Sequence, residues 1–133
     1  MKVKSYLSRV LALVLVLVVT LVGCSSPTGL TGNYTDDTFA VVEKLITAID
    51  LPDDAPNRQE VLGLAKDEIN DYISRYRRDD KNSGLRSFTT MQTALNSLAG
   101  YYNSYGNRPL PDNLKQRLKE EFRQVELALK RGA

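Results

Sequence analysis

The chain has 133 residues, with 18 Lys and Arg, 16 Asp and Glu, no His, no Trp and one Cys, and its formal net charge is +2. This length supports one domain, and so small a charge argues against a nucleic-acid-binding protein. One Cys excludes an intramolecular disulfide and a thiolate zinc site. Without His there is no His-based catalytic triad and no His-ligated haem or di-iron site. The composition therefore favours binding over catalysis.

The N-terminus has the pattern of a secretion signal. Lys2, Lys4 and Arg9 precede the apolar run VLALVLVLVVTLV at residues 10–22. A bilayer span needs about 20 apolar residues, whereas a run this short has the length of a signal-peptide core. An uncleaved transmembrane anchor is thus an alternative that the length disfavours.

The run ends in Leu21-Val22-Gly23-Cys24, which resembles the lipobox of bacterial lipoproteins. In that class the Cys thiol is alkylated with diacylglycerol and the bond before it is cleaved. We therefore expect residues 1–23 to be removed, and Cys24 to carry diacylglycerol and a fatty acid such as palmitate. An ordinary secretory signal, with Cys24 coincidental, is the other alternative. The lipid is the only attached group expected, and no cofactor is predicted.

Residues 24–33 form the predicted tether, which is rich in Ser, Thr, Gly and Pro and is expected to be flexible. Residues 25–33 reach about 30 Å at most, at about 3.3 Å per extended residue. The tether therefore holds the remaining domain, 34–133, close to one membrane face. From Cys24 onwards the chain has 15 basic and 16 acidic side chains, so its charge is −1.

Four amphipathic helical segments follow the tether. The first is capped by Thr35 or a neighbour and stops at Pro52, and the second runs from near Pro56 to about Arg78. Apolar residues in each segment recur at steps of three and four. They are Phe39, Val42, Ile46 and Ile49 in the first segment; Leu62, Ala65, Ile69, Tyr72 or Ile73, and Tyr76 in the second; Leu85, Phe88, Met91, Leu95, Leu98, Tyr102 and Tyr105 in the third; and Leu114, Leu118, Phe122, Val125 and Leu129 in the fourth.

The third segment is followed by Gly106, a residue suited to end a helix, and the fourth has Pro111 near its start. Strand-like alternation is missing from the sequence after Cys24. Short loops between helices of this length predict antiparallel neighbours. The sequence therefore predicts an all-α fold, an up-down-up-down antiparallel four-helix bundle, preceded by the lipoprotein signal peptide and the flexible tether.

Carboxylates are the only candidates for metal chemistry. Asp67, Glu68 and Asp71 cluster on the second segment, where Asp67 and Asp71 share a face. Because Ca²⁺ prefers six to eight oxygen ligands, a solvated acidic face explains them better, and we predict no metal site.

Tyr101, with Asn103 and Arg108, forms the first candidate docking surface. Tyr and Arg are enriched at the residues that dominate interface energies. The simpler interpretation of this region is that Tyr102 and Tyr105 cap the core while their hydroxyls reach water.

A second candidate docking surface is the segment that contains Arg75, Arg77, Arg78, Asp79 and Asp80. The simpler interpretation is a helix end with local ion pairs between its arginines and aspartates. Opposite charges so close together give little net field, so nucleic-acid binding is not expected.

With these features in place, the chain resembles the small photosystem II assembly and repair lipoproteins of cyanobacteria. The resemblance covers nearly all of the sequence after Cys24, and the segments that carry it are Asn33–Thr38, Glu68–Asp79, Ser87–Asn96, Tyr101–Pro111 and Arg117–Arg131. It implies an interaction protein rather than an enzyme, with a four-helix bundle on the lumenal face of the thylakoid membrane. Among the sites, only Cys24 carries over from the family.

The resemblance also implies the partner and the role. The partner is immature or damaged photosystem II, bound chiefly through the lumenal loop of the smaller chlorophyll-binding inner-antenna protein. The role is to keep the lumenal side accessible for assembly of the manganese–calcium cluster until the extrinsic subunits bind. Away from that complex we expect a monomer. Two alternatives stay open: a cell-envelope lipoprotein scaffold, and a carrier of Mn²⁺ or Ca²⁺ through Asp67, Glu68 and Asp71.

Overall fold

The structure is a computed structural model that describes residues 28–133. Residues 32–133 form one compact unit, and residues 28–31, which belong to a separate unit, contain neither helix nor strand. The predicted signal peptide, Cys24 and the first part of the tether lie outside the described residues.

Four α-helices make up the compact unit. They are α1 (Tyr34–Asp50), α2 (Arg58–Tyr76), α3 (Arg86–Tyr105) and α4 (Asp112–Lys130). Both α1 and α3 pack against α2 and α4, so that the four helices close into a ring around one core. No strand occurs within residues 28–133. The predicted all-α four-helix bundle is confirmed.

The helix ends follow local chemistry. Asn33 caps α1, because its side-chain oxygen accepts a hydrogen bond from the Asp36 N–H at 3.1 Å. Gly106 ends α3 with a φ of +59°, a conformation that a side chain disfavours. Pro111 precedes α4, where its missing N–H costs no helical hydrogen bond. The predicted cap was Thr35 or a neighbour, and the observed cap, Asn33, lies two residues before Thr35.

The core is apolar and continuous, and its largest fully buried side chains come from all four helices. In α1 the predicted stripe is right at Val42 and Ile49, which are buried, and wrong at its other two residues. Phe39 and Ile46 are half-buried, whereas Val41 and Leu45 are fully buried. Because α1 packs against both α2 and α4, its buried face is wider than a single stripe.

The helices are too short or too polar to cross a bilayer: within residues 28–133 none meets the length and hydropathy of a membrane span.

Candidate docking surfaces

The two ends of the bundle carry the two predicted surfaces. We define the N-terminal pole as residues 32–38, 72–90 and 127–133, and the opposite pole as residues 47–61 and 101–115. At the N-terminal pole the hydroxyls of Tyr34 and Ser87 are hydrogen-bonded at 2.7 Å. The Ser87 N–H also donates to the Ala133 carbonyl at 3.0 Å. These contacts hold the starts of α1 and α3 against the end of the chain.

A cluster of three aromatic side chains, Tyr34, Tyr72 and Tyr76, fills this pole and is named here the tyrosine cluster. Its rings are buried, with centroids 5.3 Å apart for Tyr34 and Tyr76 and 5.1 Å apart for Tyr72 and Tyr76. Phe88 stacks on Tyr72 at 6.4 Å. Aromatic pairs at such separations add to the stabilisation that burial provides.

Each hydroxyl of the cluster has a defined partner. The Thr38 hydroxyl donates to the Tyr34 carbonyl at 2.6 Å and also lies 2.8 Å from the Tyr72 hydroxyl. Because a threonine hydroxyl has one proton, Tyr72 is the donor in the second bond. Tyr76 donates a short hydrogen bond to the buried Asp37 carboxylate, which also accepts from the Gly32 N–H at 2.9 Å.

This environment keeps the tyrosines neutral. Burial raises the pKa of Tyr34 and Tyr72 above the usual value, although the hydrogen bond of Tyr34 with Ser87 and that of Tyr72 with Thr38 partly oppose the rise. Burial also raises the pKa of Tyr76, and the Asp37 carboxylate raises it further, because a phenolate beside a carboxylate is repelled. The hydroxyls therefore remain donors, and they fix the end of α2 against the start of α1.

The Arg75–Asp80 segment begins at this fixed helix end. Arg75, Arg77 and Arg78 are all exposed. The Arg75 guanidinium reaches back over the start of α1, since a Cβ placed on Gly32 would lie 3.8 Å from Arg75 Nη1. These arginines are thus displayed on a rigid base rather than on a loose loop.

The expectation of local ion pairs in this segment is wrong. Among the ion pairs of residues 28–133, none joins Arg75, Arg77 or Arg78 to a carboxylate. Asp79 instead orders the α2–α3 loop: its carboxylate accepts from the Lys81 N–H at 3.1 Å and from the Asn82 amide at 2.7 Å. The Asp79 carboxylate therefore bonds within the loop, and Arg77 and Arg78 are exposed to solvent.

At the opposite pole, Tyr101 is tied to the α3–α4 loop. Its hydroxyl donates to the Pro109 carbonyl at 2.6 Å, and its ring lies 4.8 Å from that of Tyr105. Arg58 of α2 donates to the Asn107 carbonyl at 3.1 and 3.3 Å. Because the loop is held from two helices, it presents a defined surface together with the last turn of α3, and Asn103 of that turn and Arg108 of the loop are exposed.

Two neighbouring tyrosines differ from the prediction. Tyr105 is 52% exposed and does not cap the core. Tyr102 is 2% exposed, and its hydroxyl is buried without a hydrogen-bond partner in the described structure. Burial raises the pKa of Tyr102 to about 12, and the charge of Arg58 partly offsets the rise. The predicted hydroxyls in water therefore apply to Tyr105 but not to Tyr102.

The two candidate surfaces lie at opposite ends of α3. This helix has 20 residues, and at about 1.5 Å per residue it separates the surfaces by roughly 30 Å. The structure therefore does not bring all the predicted docking residues together: Arg75–Asp80 belongs to the N-terminal pole, whereas Tyr101, Asn103 and Arg108 belong to the opposite pole.

The acidic residues of α2 are not grouped around one point in the described part of the chain. Asp67 is exposed, whereas Glu68 is buried and its Oε1 lies 2.5 Å from Lys44 Nζ. Within residues 28–133 no group of three His, Cys, Asp or Glu residues is arranged to hold a metal ion. The ammonium group of Lys44 already neutralises the carboxylate on which a carrier for Mn²⁺ or Ca²⁺ would depend.

Sequence reasoning missed the polar network beneath the first surface. Asp37 has the sequence position of an acidic residue in a first helical turn, yet both Asp37 and Thr38 are buried and bonded to tyrosines of α2. One signal was available: Tyr72 and Tyr76 are four residues apart and so share a face of α2. Arg58 at the opposite pole had no such signal, because its partner is a loop carbonyl.

The fold and the two polar surfaces define a small four-helix bundle with an exposed polar surface at each end. Comparisons with known proteins agree. The family model described as photosystem II Pbs27 matches residues 3–129. The photosystem II lipoprotein Psb27 of Synechocystis sp. is 63% identical over 129 residues, covering 97% of this chain and 96% of the relative. The photosystem II assembly factor lipoprotein Psb27 of Thermosynechococcus vestitus is 52% identical, covering 98% of each chain.

A solved structure is similar as well. The solution structure of Psb27 from cyanobacterial photosystem II is 64% identical and superimposes with a TM-score of 0.77, covering 83% of this chain and 96% of that one. The chain belongs to the Psb27 family of photosystem II proteins. Since both relatives are named lipoproteins, the family agrees with the lipobox at Cys24, which itself lies outside the described residues.

Proposed function

We propose that this chain is a photosystem II assembly and repair factor that binds immature or damaged complexes on the lumenal side of the thylakoid membrane. Family membership over almost the whole chain is the observation that carries the proposal. The proposed contact is the lumenal loop of the smaller chlorophyll-binding inner-antenna protein. The chain acts by binding and does not catalyse a reaction.

The lipid on Cys24 is proposed to hold the bundle at the membrane. Two relatives named lipoproteins support this, as does the lipobox. A short tether converts partner binding into a search at high effective concentration, so a small interface suffices for reversible binding. Reversibility matters because the factor has to leave when assembly is complete.

The two poles are the proposed docking surfaces. The Arg75–Asp80 segment stands on the tyrosine cluster, and the surface of Tyr101, Asn103 and Arg108 stands on a loop held by Arg58. Both surfaces are polar and exposed, and hydrogen bonds hold the backbone beneath them. Binding therefore costs little conformational entropy of the loops. Occupation of the lumenal side by the bundle would keep the manganese–calcium site accessible until the extrinsic subunits bind.

Affinity purification tests the proposal. A tagged chain is expressed in a cyanobacterium, membranes are solubilised in detergent, and chlorophyll and the inner-antenna protein are measured in the eluate. We expect both to co-purify. A cell-envelope scaffold would instead bring down proteins without chlorophyll, and that result would refute the proposal.

Variants of each pole identify the docking surface. R77E/R78E reverses charge on the first surface, and Y101A/R108A removes two large side chains from the second. We expect one of the pairs to lower the chlorophyll yield at least tenfold, which corresponds to about 1.4 kcal/mol. Replacing the exposed Arg123, which belongs to neither pole, with Glu is the control and should leave the yield unchanged.

The anchor is tested separately with Cys24→Ala. Loss of the lipid should weaken association with membrane complexes while the far-ultraviolet circular dichroism of the bundle stays the same. Unchanged association would show that the lipid contributes nothing to partner binding.

A further inference from the structure

Charge is distributed unevenly along the bundle. The N-terminal pole has seven basic side chains (Arg75, Arg77, Arg78, Lys81, Arg86, Lys130 and Arg131) against four acidic ones. The opposite pole has three basic and five acidic side chains. Residues 32–133 together contain 15 basic and 16 acidic side chains, so the N-terminal pole is a local positive excess on a nearly neutral domain.

A groove opens within this pole, between the start of α3 and the end of α4. Its volume is about 460 Å³, and it is lined by Arg86, Thr90, Gln124, Leu127, Ala128 and Arg131. No carboxylate side chain lines it. Arg86 and Arg131 are exposed, and Leu127 is 40% exposed, so guanidinium groups and an apolar side chain face solvent together.

Guanidinium groups bind phosphate and sulfate oxygens in pairs of hydrogen bonds. A lipid surface offers such anionic groups beside apolar chains, which suits a groove that combines two arginines with an exposed leucine. The docking role proposed for Arg75–Asp80 and for the Tyr101 surface uses neither Arg86 nor Arg131.

We propose that the groove between Arg86 and Arg131 binds the headgroups of anionic lipids and so holds the α3–α4 side of the N-terminal pole at the membrane. The inference rests on the anchor of the proposed function, because the chain leads from Cys24 into α1 at this pole. The tether limits the distance between the N-terminal pole and the lipid on Cys24 to about 30 Å. The acidic opposite pole is repelled by the same surface and faces the lumen.

An acidic protein segment is the competing occupant. The position of the groove favours lipid, because the tether from the lipid-bearing Cys24 enters the bundle at this pole and keeps the groove within reach of the bilayer. Electrostatic attraction extends only about 10 Å at an ionic strength of 0.1 M, so proximity decides which anion the groove meets.

Vesicle binding without the lipid anchor tests the proposal. The chain from residue 24 with Cys24→Ser retains the whole compact unit from residue 32. It is sedimented with vesicles of phosphatidylcholine, alone or mixed equally with phosphatidylglycerol, at about 0.1 M ionic strength. We expect binding only to the mixed vesicles. R86Q/R131Q should lower the partition coefficient roughly 25-fold, at about fivefold for each arginine.

The charge-matched control is R108Q/K115Q at the opposite pole, which should change the partition coefficient less than twofold. An equal loss in both pairs would mean that overall charge, not the groove, drives binding, and would overturn the proposal. So would absence of binding to anionic vesicles. Binding of hexaglutamate that is lost in R86Q/R131Q, without vesicle binding, would assign the groove to an acidic protein segment instead. The assay contains no photosystem II, so its failure is distinct from failure of the proposed function.

Discussion

Replacing Tyr76 by Phe removes one hydroxyl from the tyrosine cluster and keeps the ring. The hydroxyl donates to the Asp37 carboxylate, and the Tyr76 side chain is only 2% exposed, so solvent does not substitute for it. Hydrogen bonds to charged groups contribute about 1.5–3 kcal/mol. We therefore expect Tyr76→Phe to lower the free energy of unfolding by about 2 kcal/mol, a large part of the roughly 5–15 kcal/mol that stabilises a domain.

Urea unfolding followed by far-ultraviolet circular dichroism measures this change. Tyr105→Phe is the matched control, because Tyr105 is 52% exposed, and it should change the free energy of unfolding by less than about 0.5 kcal/mol. A double-mutant cycle with Asp37→Ala isolates the pair, and we expect a coupling energy of at least about 1 kcal/mol. Additive effects, or a Tyr76→Phe change no larger than the control, would refute the reasoning that this hydrogen bond fixes the end of α2.

Three further predictions concern stability. Because the pKa values of the buried tyrosines are raised, the folded state keeps protons that unfolded tyrosines release above about pH 10. Below that pH these groups do not change the free energy of unfolding. Above it, the free energy of unfolding falls by about 1.4 kcal/mol per pH unit for each buried tyrosine. The tyrosines concerned are Tyr34, Tyr72, Tyr76 and Tyr102. A denaturation midpoint that stays constant between about pH 9 and 11 would contradict this. Phe122→Ala empties a fully buried position and should cost about 3–5 kcal/mol in urea unfolding; a cost below about 1 kcal/mol would mean that the core is not packed there. Gly106→Ala should lower the free energy of unfolding by about 1–3 kcal/mol, because residue 106 has a positive φ. Gly100 lies inside α3 with open space around it, so Gly100→Ala should raise the free energy of unfolding by about 0.5–1 kcal/mol. Equal effects of the two variants would contradict the assigned backbone.

The helices were predictable because each is long enough for its apolar residues to show a helical spacing. In α3 the sequence places apolar residues at steps of three and four from Phe88 to Tyr102, and all of these are buried. The same pattern failed at Tyr105, which continues the stripe in sequence but lies beyond the core, since α3 is longer than the packed region at that end. Periodicity indicates a face, but not where the neighbouring helix stops.

The polar interior was not predictable in the same way. Asp37 has the sequence position of a residue that stabilises a helix start, and it does lie in the first turn of α1. Its burial depends on Tyr76, which is 39 residues away, and on the crossing of two helices. The missing ion pairs around Arg75 have a similar cause, because Asp79 bonds to the loop that follows it rather than to the helix before it. Such pairings are set by three-dimensional packing.

Crosslinking mass spectrometry on detergent-solubilised membranes tests most directly the claim that this bundle docks on photosystem II. Lys81 lies beside the Arg75–Asp80 segment and Lys115 lies at the opposite pole, so each lysine reports on one candidate surface. We predict crosslinks from at least one of them to the smaller chlorophyll-binding inner-antenna protein. Crosslinks confined to proteins of complexes without chlorophyll would contradict the claim.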